Sequence, residues 1–154
     1  MDKGFNKEAA AGVAGVFMAE SGLTAGRVNK EEDRAYGSTA GRGLGQWSNE
    51  RRKQYDNYMA DKEITLQNDL DFFIQDLNSR PLVKQALENA TSVDDAVKAM
   101  HLGYENGSRG AMATPEQLTA TYTKAWANLG YRPYNYNESH NKRLGFAQQA
   151  YESV

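Results

Sequence analysis

The 154-residue chain contains no cysteine, so disulfides, thiolate metal ligands and thiol catalysis are excluded outright. Its two histidines, His101 and His140, stand far apart and lack the spacing of a ligand pair, so no metal is expected. Basic charge is scarce: 18 Lys and Arg against 20 Asp and Glu leave a net charge of -2, which gives no case for a nucleic-acid partner. The one local basic run, Arg51-Arg52-Lys53, reads as a solvated helix face, with contact to an anionic polymer as the alternative. Long hydrophobic runs are missing as well. No stretch approaches the ~18 apolar residues of a membrane span, and the apolar run over residues 9–19 is too short, too glycine-rich and too closely flanked by acids for a signal peptide. A protein of this kind working outside the cytoplasm is expected to reach its target by some other carrier. Internal repeats, low-complexity tracts and alternating strand patterns are absent too.

What is present is helix. An apolar content of 40% and a charged content of 25% suit a folded globular chain, and the length suits one domain with a real core. Ala9, Val13, Val16 and Phe17 recur at helical spacing before Gly22, predicting a helix over residues 7–21. Residues 24–45 hold five glycines and no periodicity, which predicts a long loop or small irregular hairpin, and loops of that length are usually functional. A helix restarts after Trp47 with Ser48 or Asn49 as its cap. Another spans 65–78, on a stripe of Leu66, Leu70, Phe73, Ile74 and Leu77. Shorter ones open at Pro81 and at Thr91 or Ser92, the second running to about residue 105, and Pro115 opens one to about residue 129. Residues 131–137 read as an extended aromatic strap before a last helix over 139–151. The expected class is mainly α, with residues 1–130 as the principal domain and 131–154 as a C-terminal strap and helix, packed on that domain or contacting a partner.

Glu20 is the first candidate for chemistry. It follows Val13, Val16 and Phe17 by seven, four and three residues, so it projects from the face the helix buries. The negative end of the helix dipole and apolar neighbours both favour the protonated form of an acid placed there, which suits a general acid. A surface glutamate before a glycine cap has the same sequence. The segment Gly41-Arg42-Gly43-Leu44-Gly45-Gln46-Trp47 lets backbone approach a ligand closely, or makes a tight turn before a core tryptophan; it lacks the Lys-Ser/Thr ending and preceding strand of a nucleotide loop. Trp47 suits either a sugar face or a core. Near the end of the helix that carries His101, Tyr104 and Asn106 offer neutral hydrogen-bonding groups, and His101 reads as packed rather than catalytic. Glycoside hydrolysis usually takes two carboxylates. Glu31, Glu32 and Asp33 in the long loop are candidates for the second, as is Glu105, although three adjacent loop acids are more often simply solvated.

Residues 10–15 with Ala19-Glu20-Ser21-Gly22-Leu23, then Gly43-Leu44-Gly45-Gln46-Trp47 with Arg51, then Gly103-Tyr104-Glu105-Asn106, resemble the phage tail lysozyme family in order and rough spacing. Residues 66–73 also look like that family's Leu-x-x-Gln-Leu-x-Phe helix. The Glu-Ser-Gly-Leu and Gly-Leu-x-Gln segments are similar to goose-type lysozymes and soluble lytic transglycosylases, and the likeness covers about residues 7–130. It implies a lysozyme-like α-helical fold, with the long loop or hairpin as one wall of a glycan cleft. Glu20 would be the catalytic acid, Gln46 and Tyr104 would bind substrate, and Ser38 would match the serine that bonds the acid in transglycosylases. Val16 stands where the tail-lysozyme pattern often has Asn, and Asn106 where Arg is more usual. The activity implied is a muramidase that needs no cofactor or metal, carried in a virion or tail, assembled in the host cytoplasm and acting on peptidoglycan glycan strands. Other virion or tail proteins are candidate partners. The alternatives are a lytic transglycosylase giving 1,6-anhydro ends and a lysozyme-like binding or structural module without activity.

Overall fold

Asn6 caps the first helix: its side-chain oxygen accepts the Ala9 backbone N–H at 2.7 Å, satisfying one of the donors a helix start leaves open. The computed structural model describes residues 4–28, 40–106, 111–119 and 133–153, residue 119 and residues 133–137 by their backbone only. Helix α1 spans Lys7–Ser21, and Ala9, Val13, Val16 and Phe17 are all fully buried, as their spacing requires. Two glycines let this helix pack closer than any side chain would allow. A Cβ on Gly12 would sit 2.4 Å from the Ala96 methyl, and one on Gly15 would meet the Ala147 backbone at 2.6 Å. Gly15→Ala is therefore expected to cost about 1–3 kcal/mol of stability, because backbone cannot yield as a side-chain tip can. A thermal melt unchanged from the parent's would refute that.

The chain forms two compact units, Met1–Ala19 with Leu77–Val154 as the first and Glu20–Asp76 as the second, the divisions falling inside helices. Seven α-helices and a π-helical segment lie among the described residues, with two isolated bridges between loop residues as their β structure. The mainly helical class stands.

Beyond α1, the first unit holds α4 (Pro81–Glu88), α5 (Val93–Lys98), the π segment (Ala99–Tyr104), α6 (Pro115–Thr119) and α7 (Pro133–Glu152). Each of the chain's three prolines begins one of these helices, where the missing N–H costs nothing and the fixed φ suits the first turn. Ser92 caps α5 by accepting the Asp95 N–H at 3.0 Å. Two expectations change here. The helix begun at Ser92 passes into π geometry at Ala99, with the Glu105 N–H reaching the Met100 carbonyl at 2.9 Å. The extended strap gives way to helix from Pro133 onward, since that proline initiates a turn where the aromatic run was read as a break. Residues 120–132, including most of the helix expected after Pro115, lie outside the described residues.

A partly buried polar cluster joins α7 to α5 and the π segment. His140 Nε2 lies 2.6 Å from Asp94 Oδ1, the Lys98 ammonium holds Oδ2 of the same acid at 2.9 Å, and His101 Nε2 lies 3.3 Å from the Ser139 hydroxyl. Burial works against charge on Asp94, yet hydrogen bonds from Lys98 and His140 outweigh it and keep that carboxyl below its ordinary value. Burial also lowers His140, its bond to Asp94 notwithstanding. For His101, burial first, then the charges of Arg143 and His140, push the imidazole down to about 3. An unfolded His101 takes up a proton near pH 6.5 while the folded one stays neutral, so stability is complete above that pH and falls as pH drops from 6.5 toward 3. Each such site contributes at most about 1.4 kcal/mol per pH unit. Urea unfolding at pH 7, 6 and 5 should show the decline, and His101→Gln should flatten it; an equally steep decline in the variant would clear His101.

Candidate active site

The second unit carries the end of the first helix and the glycine-rich loop. Glu20 is the penultimate residue of α1 and is half-buried, and Ser21 beside it is fully buried. The chain then reverses through Gly22 and Leu23, both left-handed at φ +64 and +58, with the Thr24 N–H returning to the Ser21 carbonyl at 3.3 Å. Glycine takes that conformation freely; leucine does not, so the turn after Glu20 is locally strained.

Opposite this turn is a small irregular hairpin. Val28 bridges Arg42, Arg42 bridges Trp47, and the last two exchange backbone hydrogen bonds at 3.0 and 2.9 Å. Gln46 sits in its turn at φ +50, and its side-chain amide donates to the Arg27 carbonyl at 2.9 Å and to the Gly43 carbonyl at 3.0 Å. Both amide hydrogens are thus committed to backbone, leaving Oε1 as what this side chain can offer a ligand. The Gly43 N–H also donates to the Arg27 carbonyl, at 2.8 Å.

The hairpin's glycines serve the protein's own tryptophan. A Cβ on Gly43 or on Gly45 would lie 2.7 Å from the Trp47 indole, so the close approach read into this segment is to that ring. Trp47 is 1% exposed, stacked on Tyr55 at 5.1 Å and edge-on to Phe72 at 4.8 Å. Of its two sequence readings, the core one holds.

Two helices carry this cluster, α2 (Asn49–Met59) and α3 (Leu66–Asn78). The face that α3 buries is turned from the expected stripe: Asp69, Phe72, Phe73, Asp76 and Leu77 are buried, while Leu66 is 47% exposed. Asp69 explains the rotation. With no exposed surface, it accepts the Gly26 N–H at 3.0 Å and the Leu44 N–H at 2.9 Å on Oδ2, and the Tyr55 hydroxyl at 2.6 Å on Oδ1. One carboxyl therefore ties the turn after Glu20, the hairpin and α2 together. Burial, with the hydrogen bond to Asp69 next, drives the Tyr55 phenol well above its ordinary value.

Asp69 was not legible as a site residue, though its signal was present: an acid three residues after Leu66 and four before Phe73 lies in helical register with the apolar stripe. Asp76 repeats the pattern, receiving the Arg51 guanidinium at 2.8 Å. Arg52 is also buried, donating to Asp56 and to the Ala40 carbonyl, each at 2.8 Å. The Arg51-Arg52-Lys53 run is accordingly a solvated face only at Lys53; the two arginines turn inward because buried acceptors await them.

Glu20 and Gln46 thus lie in one compact unit, linked through residues 22–28. Tyr104 belongs to the other unit, fully buried in the π segment and edge-on to Phe17 at 6.4 Å. Ser38, Glu31, Glu32 and Asp33 lie outside the described residues. Among the described residues no cluster of three or more His, Asp or Glu is arranged to hold a metal ion, and no helix is long and apolar enough to cross a membrane.

Compared with known proteins, the chain matches the family model described as phage tail lysozyme over residues 1–154, the whole sequence and more than the 7–130 over which the motifs had carried the likeness. No curated protein and no solved structure matches it.

Proposed function

Because the chain belongs to the phage tail lysozyme family, lysozyme-like and peptidoglycan-acting, we propose that it is a muramidase cleaving the β-1,4 bond between N-acetylmuramic acid and N-acetylglucosamine, with Glu20 as general acid. The observation that carries this reading is the placement of Glu20: a half-buried carboxyl at the end of an apolar helix, in the same compact unit as the Gly-Leu-Gly-Gln hairpin. Protonated Glu20 gives its proton to the glycosidic oxygen as an oxocarbenium-like transition state forms. Gln46, held rigid by its two backbone hydrogen bonds, presents Oε1 to a sugar hydroxyl or acetamido N–H. Glu31, Glu32 or Asp33 supplies the carboxylate that activates water. The reaction uses no cofactor. The same family membership supports a role as a tail-borne lysozyme that opens the cell wall.

Digestion of purified peptidoglycan by the full chain, with products read by mass spectrometry, tests this directly. Reducing-end muropeptides are expected. Products ending in 1,6-anhydro sugars would make the enzyme a lytic transglycosylase, and intact glycan with retained wall binding would leave a binding module.

A further inference from the structure

One cation of the second unit holds no carboxylate among the described residues. Among its described residues Arg42 and Arg52 hold Asp56, Arg51 holds Asp76, and Lys53 and Lys62 hold acids near them in sequence. Arg27 is exposed, and among the described residues its guanidinium holds no carboxylate. Its backbone, by contrast, is fixed on every side. The Gly26 N–H is bound to Asp69, the Arg27 carbonyl accepts both the Gly43 N–H and the Gln46 amide, and Val28 bridges Arg42. The side chain lies back over the end of α1, with Nη1 3.5 Å from where a side chain on Gly22 would begin, two residues beyond Glu20. That separation is ordinary van der Waals contact, so the guanidinium rests against the surface at Gly22.

A cation on a rigid base, unpaired among the described residues and lying against the turn that follows the proposed acid, is preorganised for an anion, and a guanidinium's planar fork matches a carboxylate. In a glycan of alternating amino sugars, the carboxylates sit on the 3-O-lactyl branch of the muramyl residue, either as its own free acid or as acids of the attached peptide. We propose that Arg27 is a specificity-determining residue that binds a carboxylate on the lactyl branch of the sugar next to the scissile bond. This rests on the glycosidase reading above. Such a contact would favour muramyl glycan over plain chitin, which carries no carboxylate. Arg27 as a mere counter-charge to the carbonyl end of α1 would instead affect stability, whatever the substrate.

The test compares the wild type with Arg27→Gln and Arg27→Lys on three probes: neutral chitohexaose, a peptide-free muramyl hexasaccharide and its peptide-bearing form. Arg27→Gln should raise KM for the carboxylate-bearing glycans about three- to tenfold, leave kcat and the chitohexaose KM unchanged, and lose the effect at high salt as a screened contact must. Arg27→Lys should recover part of the affinity. An effect confined to the peptide-free glycan identifies the lactyl carboxylate, which becomes an amide once the peptide is attached; an effect confined to the peptide-bearing form identifies a peptide carboxylate, and an effect on both shows that Arg27 accepts either. No change on either, or the same change on chitohexaose, overturns the proposal. Should the wild type cleave none of the three, the glycosidase reading fails, and the same comparison made as Kd by calorimetry decides Arg27 by itself.

Discussion

Glu20→Gln is expected to lower kcat for peptidoglycan cleavage by about 10²–10⁴-fold, the range a positioned general acid contributes. The amide keeps the size and much of the hydrogen-bonding capacity of the carboxyl but has no proton to transfer. The loss should therefore fall on kcat with KM nearly unmoved, the pattern of an interaction made only in the transition state. Glu20 is half-buried in the last turn of α1, while the apolar anchors of that helix, Val13, Val16 and Phe17, lie deeper and are untouched by the change. The melting temperature should stay within a degree or two of the parent's, a surface-scale effect. Cleavage at the parental rate by a folded Glu20→Gln protein would remove Glu20 from the mechanism, and a large fall in melting temperature would make it a structural residue.

The largest effect on stability should come from Asp69. Asp69→Ala leaves the Gly26 N–H, the Leu44 N–H and the Tyr55 hydroxyl without their acceptor, and the last two bonds are buried. Orphaned buried donors and a small cavity together should cost about 3–5 kcal/mol. Asp69→Asn keeps one oxygen but turns an NH₂ toward donors, and should cost about 1–3 kcal/mol. Denaturant titration measures both, and near-ultraviolet dichroism of the stacked Trp47 and Tyr55 should weaken with them. An Asp69→Ala cost below about 1 kcal/mol would show that the three segments are held by something else. Tyr55 adds a pH signature to the same cluster. Its folded pKa lies above the ordinary 10.0, so the stability it contributes is whole below pH 10 and is lost as pH rises beyond it. Tyr55→Phe should flatten that alkaline decline.

Asp69 also bears on the proposed chemistry. The turn that follows Glu20 and the hairpin that carries Gln46 are both fastened to its Oδ2. A glycan cleft needs such parts held to within a fraction of an ångström, because a small misplacement already costs rate. Asp69→Asn at a temperature where it remains folded should therefore be slower than the parent although Asp69 touches no substrate.

Much of this was readable in advance. The helix over residues 7–21, its buried set and its glycine stop follow from local rules: 3.6-residue periodicity and the left-handed turn that Gly22 takes without cost. Pro81 and Pro115 marked helix starts for the same local reason. Pro133 did not, because the tyrosines and asparagines around it suggested extended chain, whereas α7, which packs on α5, begins at that residue. The motif order by itself indicated the family, and the whole-chain match bears that out.

What the sequence determined by itself, then, is the helical class, the absence of thiol chemistry, the family, and Glu20 as the acid to examine; the first two rest on composition or on neighbours within a few residues, the last two on the order of short motifs along the chain. The tertiary structure decided which of two sound readings applied wherever partners come from far along the chain. Trp47 became core because Tyr55 and Phe72 enclose it, Gln46 became a braced turn residue because the Arg27 carbonyl receives its amide, and Arg51 and Arg52 turned inward toward Asp76, Asp56 and the Ala40 carbonyl. Asp69 shows the reason most plainly. A buried acid is intolerable without donors, and its three arrive from positions 26, 44 and 55, separations that no local pattern encodes.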